Sequence, residues 1–156
     1  MTTSELRGTN KSPKNPHLVG LPSTSQTRRG LCCRIGGGRL AGAFYNDVWS
    51  SADGQNWTLT TAAAPWSARS GPRLVSFRGG LLLIAGERGF TPQQQLRDVW
   101  SSADAGRSWS LVTATPEFSP RSGHSVVVLG DGTGPAASLL LLAGWPQLHD
   151  AWSSVR

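Results

Sequence analysis

A chain of 156 residues can bury one sizeable core, and its 19 glycines, 10 prolines and 7 tryptophans beside a single tyrosine describe a turn-rich all-β protein without a long helix. The net charge of +6 does not make nucleic acid the expected partner: residues 1–30 hold Arg7, Lys11, Lys14, Arg28 and Arg29 against Glu5, and no basic-aromatic module accompanies them. No stretch approaches the roughly eighteen apolar residues of a membrane span, and the first residues lack the apolar core of a secretory signal, which leaves the cytoplasm as the default location.

In chain order, residues 1–30 are rich in Ser, Thr, Pro, Asn and charge, with little hydrophobic periodicity, and are expected to form a disordered basic tail. Residues 31–35 then read as a short apolar strand closed by Gly36, Gly37 and Gly38, and 46–51 as the next strand. Cys32 and Cys33 are the only cysteines. Neighbours on a strand point to opposite faces, so the pair is expected to be small and buried rather than a disulfide, a redox centre or a zinc site.

The heptapeptide Asp-Val-Trp-Ser-Ser-Ala-Asp begins at Asp47, recurs at Asp98 and returns as Asp-Ala-Trp-Ser-Ser at Asp150, at spacings of 51 and 52 residues. A period near 50 marks a repeat architecture with one supersecondary unit per copy. The middle copy is complete: 70–77 is a first strand, Arg78-Gly79-Gly80 a turn, and the unbroken apolar run 81–85 an inner strand covered on both faces. A polar loop over 87–97 leads to a third strand at 98–102, and a tight turn through Asp104 and Gly106 to a fourth at 108–113. Four antiparallel strands in about 50 residues make one propeller-type blade. The third copy follows the same course from Arg121, with apolar strands at 126–129 and 139–143. With one gap, 47–71 and 98–123 agree at sixteen of twenty-five positions, which pairs Trp57 with Trp109 and Arg69 with Arg121, and sets Trp66 beside Phe118.

The order Arg121-Ser122-Gly123-His124, apolar strand, glycine-containing turn, then Asp-Val-Trp with a further Trp beyond it resembles the kelch repeat of β-propellers. The kelch double glycine stands as Gly36-Gly37 in the first copy but as Ala85-Gly86 and Ala143-Gly144 later, and Pro72 replaces the histidine in the second. Overlapping it, Ser102-Ala103-Asp104-Ala105-Gly106-Arg107-Ser108-Trp109 is similar to the Asp-box of sialidases and related propellers; the first copy, from Ser51 to Trp57, is one residue short. The resemblance covers 31–156 and implies a partial β-propeller of four-stranded antiparallel kelch-like blades: 31–62 a partial blade, 69–114 a full one and 121–156 another partial one. It assigns structural work to the repeated residues Asp47, Trp49, Asp53, Trp57, Arg69, Asp98, Trp100, Asp104, Gly106, Trp109, Arg121, Asp150 and Trp152. In the Asp-box turn the Asp accepts backbone amides, Gly supplies the permissive dihedral and Trp covers the hairpin.

Catalysis finds no constellation in the sequence. A sialidase-like site needs an arginine cluster and a tyrosine nucleophile with a carboxylate partner, but Tyr45 is the only tyrosine, and Glu87 and Glu117 are lone carboxylates where glycoside hydrolysis asks for a facing pair. Galactose-oxidase-like copper chemistry needs two Tyr and two His, and His17, His124 and His149 lack metal-ligand spacing. Neither enzymatic activity, nor a metal, nor a cofactor is expected. The kelch resemblance puts recognition on the loop between second and third strands, here Arg88, Phe90, Gln93, Gln94 and Gln95, with protein as the partner. The alternatives are a glycan-binding or sialidase-like remnant marked by its Asp-boxes, and a non-functional fragment of a longer propeller. Ten strands supply two and a half blades where propellers close with four to eight. Self-association to close a ring, with apolar strand edges such as 139–142 exposed at the ends, is therefore a further expectation.

Overall fold

The computed structural model describes residues 44–89 and 93–154 in full, and the backbone of Ser23–Gln26 and Cys32–Ile35. Regular structure among these residues is entirely β, and none of it is a helix long and apolar enough to cross a membrane. The strands are β1 Ser23–Gln26, β2 Cys32–Ile35, β3 Val48–Ser51, β4 Thr58–Thr61, β5 Arg73–Phe77, β6 Gly80–Arg88, β7 Gln94–Ser102, β8 Ser110–Thr113, β9 Ser125–Leu129, β10 Ser138–Leu142 and β11 Ala151–Ser153. They form three antiparallel meanders in which each strand pairs with its chain neighbour: sheet I is β1 to β4, sheet II β5 to β8, and sheet III β9 to β11. First strands lie beside first strands, β1 against β5 and β5 against β9.

Sheet I has one strand more than the sequence suggests. β1 falls inside the stretch expected to be disordered, and the rest of 1–22 and 27–30 lies outside the described residues. Ser-Thr-Ser-Gln offers no apolar alternation, and an edge strand whose ladder is supplied by one neighbour needs none; its register runs from Ser23 opposite Ile35 to Gln26 opposite Cys32. The backbone of Cys32 and Cys33 pairs with Ser51 and Ser50, and their side chains lie outside the described residues.

The expected polar loop over 87–97 is mostly ladder. Past a bulge between Ile84 and Gly86, pairing resumes with Gly86 opposite Leu96, Glu87 opposite Gln95 and Arg88 opposite Gln94. At the bulge Ala85 takes φ 55° and Gly86 φ 114°, and a Cβ on Gly86 would come within 2.9 Å of the Ser70 carbonyl oxygen. The bulge ends the apolar run, and the strand continues in polar residues that periodicity reads as loop. Ala143 and Gly144 repeat these dihedrals in sheet III, at 54° and 118°.

Two apolar clusters join the sheets. Between I and II, Val48 of β3 meets Leu74, Leu81, Leu83 and Trp109, and Trp66 from the inter-sheet connection fills the centre. Its ring stands edge-on to Trp109 at 4.8 Å and to Trp100 at 5.9 Å between centroids. Burying a side chain of this size removes about 200 Å² from water and stabilises by roughly 5 kcal/mol before ordering costs. Between II and III, Ile84, Ala85 and Leu141 are joined by Val75, Leu82, Val99, Phe118, Val126, Leu139 and Trp152. The alternate residues of β6 thus serve the two clusters in turn, and Trp66 and Phe118 take the same place in successive interfaces.

At the far side of sheet III the expected apolar edge over 139–142 is not an edge, because β10 is the central strand, paired on both sides. A face is exposed instead. Val127 and Leu129 of β9 are 44% and 42% exposed, and Leu140 pairs opposite Val127. The corresponding face of sheet II, with Val75, Leu82, Ile84 and Val99, is the one that sheet III covers.

Candidate functional site

In each meander the connection between second and third strands and the connection to the next sheet lie at one end of the strands, and this end collects the repeated charges. Arg69 leaves the 62–72 connection with its amide donating to Tyr45 O at 3.1 Å, and its side chain is buried. Its guanidinium is fully occupied: Nη1 donates to Asp98 Oδ1 at 2.6 Å and to Ala85 O at 2.9 Å, Nη2 to Asp98 Oδ2 at 2.8 Å, and Nε to Ser67 O at 3.1 Å. The αL twist at Ala85 is what turns that carbonyl toward the arginine. Trp100 Nε1 adds a bond to Asp98 Oδ2 at 2.7 Å. Burial alone would raise the Asp98 carboxyl, but the bonds from Arg69 and Trp100 outweigh it and hold the group below the usual carboxylate range.

Sheet III repeats these contacts. Arg121 Nη1 reaches Asp150 Oδ1 at 2.7 Å and Ala143 O at 2.9 Å, Nη2 reaches Asp150 Oδ2 at 2.8 Å, Nε reaches Ser119 O at 3.0 Å, and Trp152 Nε1 caps Asp150 Oδ2 at 2.7 Å. The Arg121 and Trp152 bonds hold the Asp150 carboxyl well below its ordinary value. Such bidentate pairs fix geometry and leave neither partner free for a ligand.

The expected recognition loop is tied to itself. Arg88 Nε donates to Gln94 Oε1 at 2.7 Å, while Gln93 Nε2, Gln95 Nε2 at 3.5 Å and Ser122 Oγ at 2.8 Å all converge on Glu87 Oε2. Phe90 lies outside the described residues. Glu87, set aside as a lone carboxylate, is the buried hub that fastens the β6–β7 hairpin to the segment entering sheet III. In sheet III its place is taken by Trp145: Ser70 bridges Glu87 and Ser122 bridges Trp145. The Trp145 backbone is pinned by bonds of 2.9 and 3.2 Å to Ser122, yet the residue is 52% exposed. Sequence reasoning passed over it because Trp145 has no tryptophan at the aligned position of the other copies.

The turns carrying Asp53 and Asp104 lie at the opposite end of the strands. Asp53 Oδ1 accepts from the amides of Gln55 and Asn56, both at 2.8 Å, and Trp57 Nε1 donates to Gly54 O at 3.2 Å. Asp104 Oδ1 accepts from Ser108 N and Ser102 Oγ, both at 2.9 Å, and Trp109 Nε1 donates to Gly106 O at 3.0 Å. The Asn56 amide first of all keeps Asp53 well below the usual range, and the Ser108 hydroxyl and amide bring Asp104 down to about 2. Gly106 sits at φ 89°, with room for a Cβ only at 3.1 Å from Val48 Cγ1.

His124 completes the charged end. It is fully buried, neither ring nitrogen has a hydrogen-bond partner, and Arg73 Nε donates to its carbonyl. Burial first, then the charges of Arg73 and Arg121, push its pKa down to about 3, so the ring is neutral at physiological pH. Among the described residues no three His, Cys, Asp or Glu side chains are grouped to hold a metal ion. No protein-family model matches this chain, and no curated protein matches it.

Proposed function

We propose that the three meanders are consecutive blades of a kelch-like β-propeller, and that the chain is a non-enzymatic module that binds protein at the end of the strands carrying Glu87, Gln95 and Trp145. The blade reading is supported by the two inter-sheet interfaces, which use the same faces, the same arginine clamp and the same aromatic plug. The observation that carries the binding reading is Trp145: a large aromatic whose backbone N–H and C=O are both bonded to Ser122 while the residue is more than half exposed has the rigid, amphipathic character of an interface anchor. Asp53 and Asp104, engaged by their own turns, and the Arg69–Asp98 and Arg121–Asp150 clamps support a non-catalytic reading. The Asp-box carboxylates face turn amides, which argues for a fold element rather than a glycan site.

Affinity capture on immobilised chain tests this. Protein recovered by the wild type should be lost on the triple substitution Trp145→Ala, Arg88→Ser and Gln94→Ser, and retained on Asn56→Ala at the opposite end. Capture that survives the triple substitution, or a glycan-array signal that Trp145→Ala abolishes, would replace this reading.

A further inference from the structure

The connection leading from sheet II to sheet III docks on sheet II through a short extended segment. Its Phe118 joins Val75, Leu82, Ile84 and Val99 on one face of that sheet. Three residues on, the backbone of Arg121 is held at the end of the same face: its N–H donates to Leu96 O at 2.8 Å, and its carbonyl accepts from Gly86 N at 2.9 Å. Ser122 Oγ then donates to Glu87 Oε2 at 2.8 Å, and Gly123 N to Gly71 O at 3.0 Å. On sheet I the spacing recurs, with Trp66 in the core and Arg69 N donating to Tyr45 O at 3.1 Å.

Sheet III offers the same seat, and its groups are accessible. By ladder register Val127, Leu140, Leu142 and Ala151 stand where Val75, Leu82, Ile84 and Val99 stand in sheet II. The other alternate positions of this face are Ser125, Leu129, Ser138 and Ser153, so it carries no charge. Val127 is 44% exposed, and Ala143 is exposed where its counterpart Ala85 is fully buried. Leu148 O, Gly144 N and Gly123 O correspond to Leu96 O, Gly86 N and Gly71 O, and none of the three meets a hydrogen-bond partner among the described residues. Trp145 takes the place of Glu87, so an indole stands where sheet II offers a carboxylate oxygen to Ser122.

We propose that this seat binds an extended segment of a partner polypeptide with an aromatic residue, two further residues, a residue with a backbone N–H, and then an apolar residue. The aromatic covers Val127, Leu140, Leu142 and Ala151, the fourth residue bridges Leu148 O and Gly144 N through its own N–H and C=O, and the apolar residue lies on Trp145. Main-chain bonds supply the hold, and the spaced side chains supply the selectivity. Proline at the bridging position lacks the donor and is excluded. Neither docked segment of this chain is available to a second copy: Trp66 is 2% exposed, and Arg121 is fully buried in its own clamp. The proposal rests on the reading of the clamp end as a protein-binding surface and specifies the segment that surface takes.

The test titrates the full chain into the fluorescently labelled peptide Thr-Pro-Glu-Phe-Ser-Pro-Arg-Leu-Gly and follows anisotropy, with circular dichroism melts confirming that each variant is folded. Saturable binding with a midpoint below about 1 mM is expected. Alanine in place of the phenylalanine, N-methylation of the arginine amide, Val127→Asp and Trp145→Ala should each weaken it about tenfold or more. Leu59→Asp, at a residue of β4 exposed to the same degree as Val127, should leave it unchanged. No saturation, or binding indifferent to Val127→Asp or to the N-methyl group, would overturn the proposal. So would a dimer of the chain that Val127→Asp abolishes and the peptide does not displace. A protein captured through Trp145 by a chain that does not bind the peptide would overturn this proposal alone, and leave the binding reading standing.

Discussion

Acid should destabilise this fold through His124 before the clamped and turn aspartates take part. Folded His124 accepts a proton only near pH 3, because burial and then Arg73 and Arg121 oppose its charge, whereas the unfolded residue titrates near its ordinary 6.5. Between those values the unfolded chain binds more protons, so stability falls as pH drops through the window. At about 1.4 kcal/mol per unit, lowering the pH from 7 to 5 should remove about 2 kcal/mol. Asp53, Asp98, Asp104 and Asp150 stay silent there, since all four are shifted downward and begin to lose their contribution only as the pH falls through their ordinary 3.8. For a chain of this size 2 kcal/mol corresponds to a Tm lower by roughly 5–10 °C, measurable by circular dichroism melts at the two pH values. Leu in place of His124 removes two buried nitrogens without partners, so the variant should be at least as stable at pH 7 and should lose most of the difference between pH 7 and 5. A wild-type Tm unchanged between pH 7 and 5, or the same drop in His124→Leu, would refute the reasoning.

Two further substitutions probe the clamps and the bulge. Arg69→Met leaves Asp98 and the Ala85 carbonyl without their donor inside the stack and should cost about 3 kcal/mol in urea unfolding; a loss under about 1 kcal/mol would mean that the clamp is ornamental. Gly86→Ala combines a φ of 114° with a Cβ 2.9 Å from a backbone oxygen and should cost about 2 kcal/mol or more, against about 1 kcal/mol for Gly54→Ala, where φ is 75° but nothing lies within 4 Å. Equal effects on the chemical midpoint would show that the close approach to Ser70 does not constrain the bulge.

What the sequence made legible is what recurs. The Asp-x-Trp strands, the turns at Asp53 and Asp104 and the apolar run of β6 are repeated solutions to one packing problem, so their spacing reports the three meanders and the all-β class directly. β1 and the outer half of the β6–β7 hairpin were not legible, because the backbone ladder there is carried mainly by Ser, Thr, Gln and Glu, which set no apolar period. Arg69 and Asp98 were each singled out, but their pairing was not. The signal was present in the constant interval of 29 residues from Arg69 to Asp98 and from Arg121 to Asp150, which matches a bond rather than a strand. Trp145 and Glu87 escaped for the opposite reason: they occupy one structural position with unlike residues, and only the shared bridge to Ser70 or Ser122 shows the equivalence.

Hydrogen–deuterium exchange of the whole chain, alone and with a protein partner recovered by affinity capture, bears most directly on the proposal that recognition occurs at the clamp end of the strands. Protection gained at 86–97 and 143–150 is the expected result. Protection confined to the Asp53, Asp104 and Asp131 turns at the other end would contradict it.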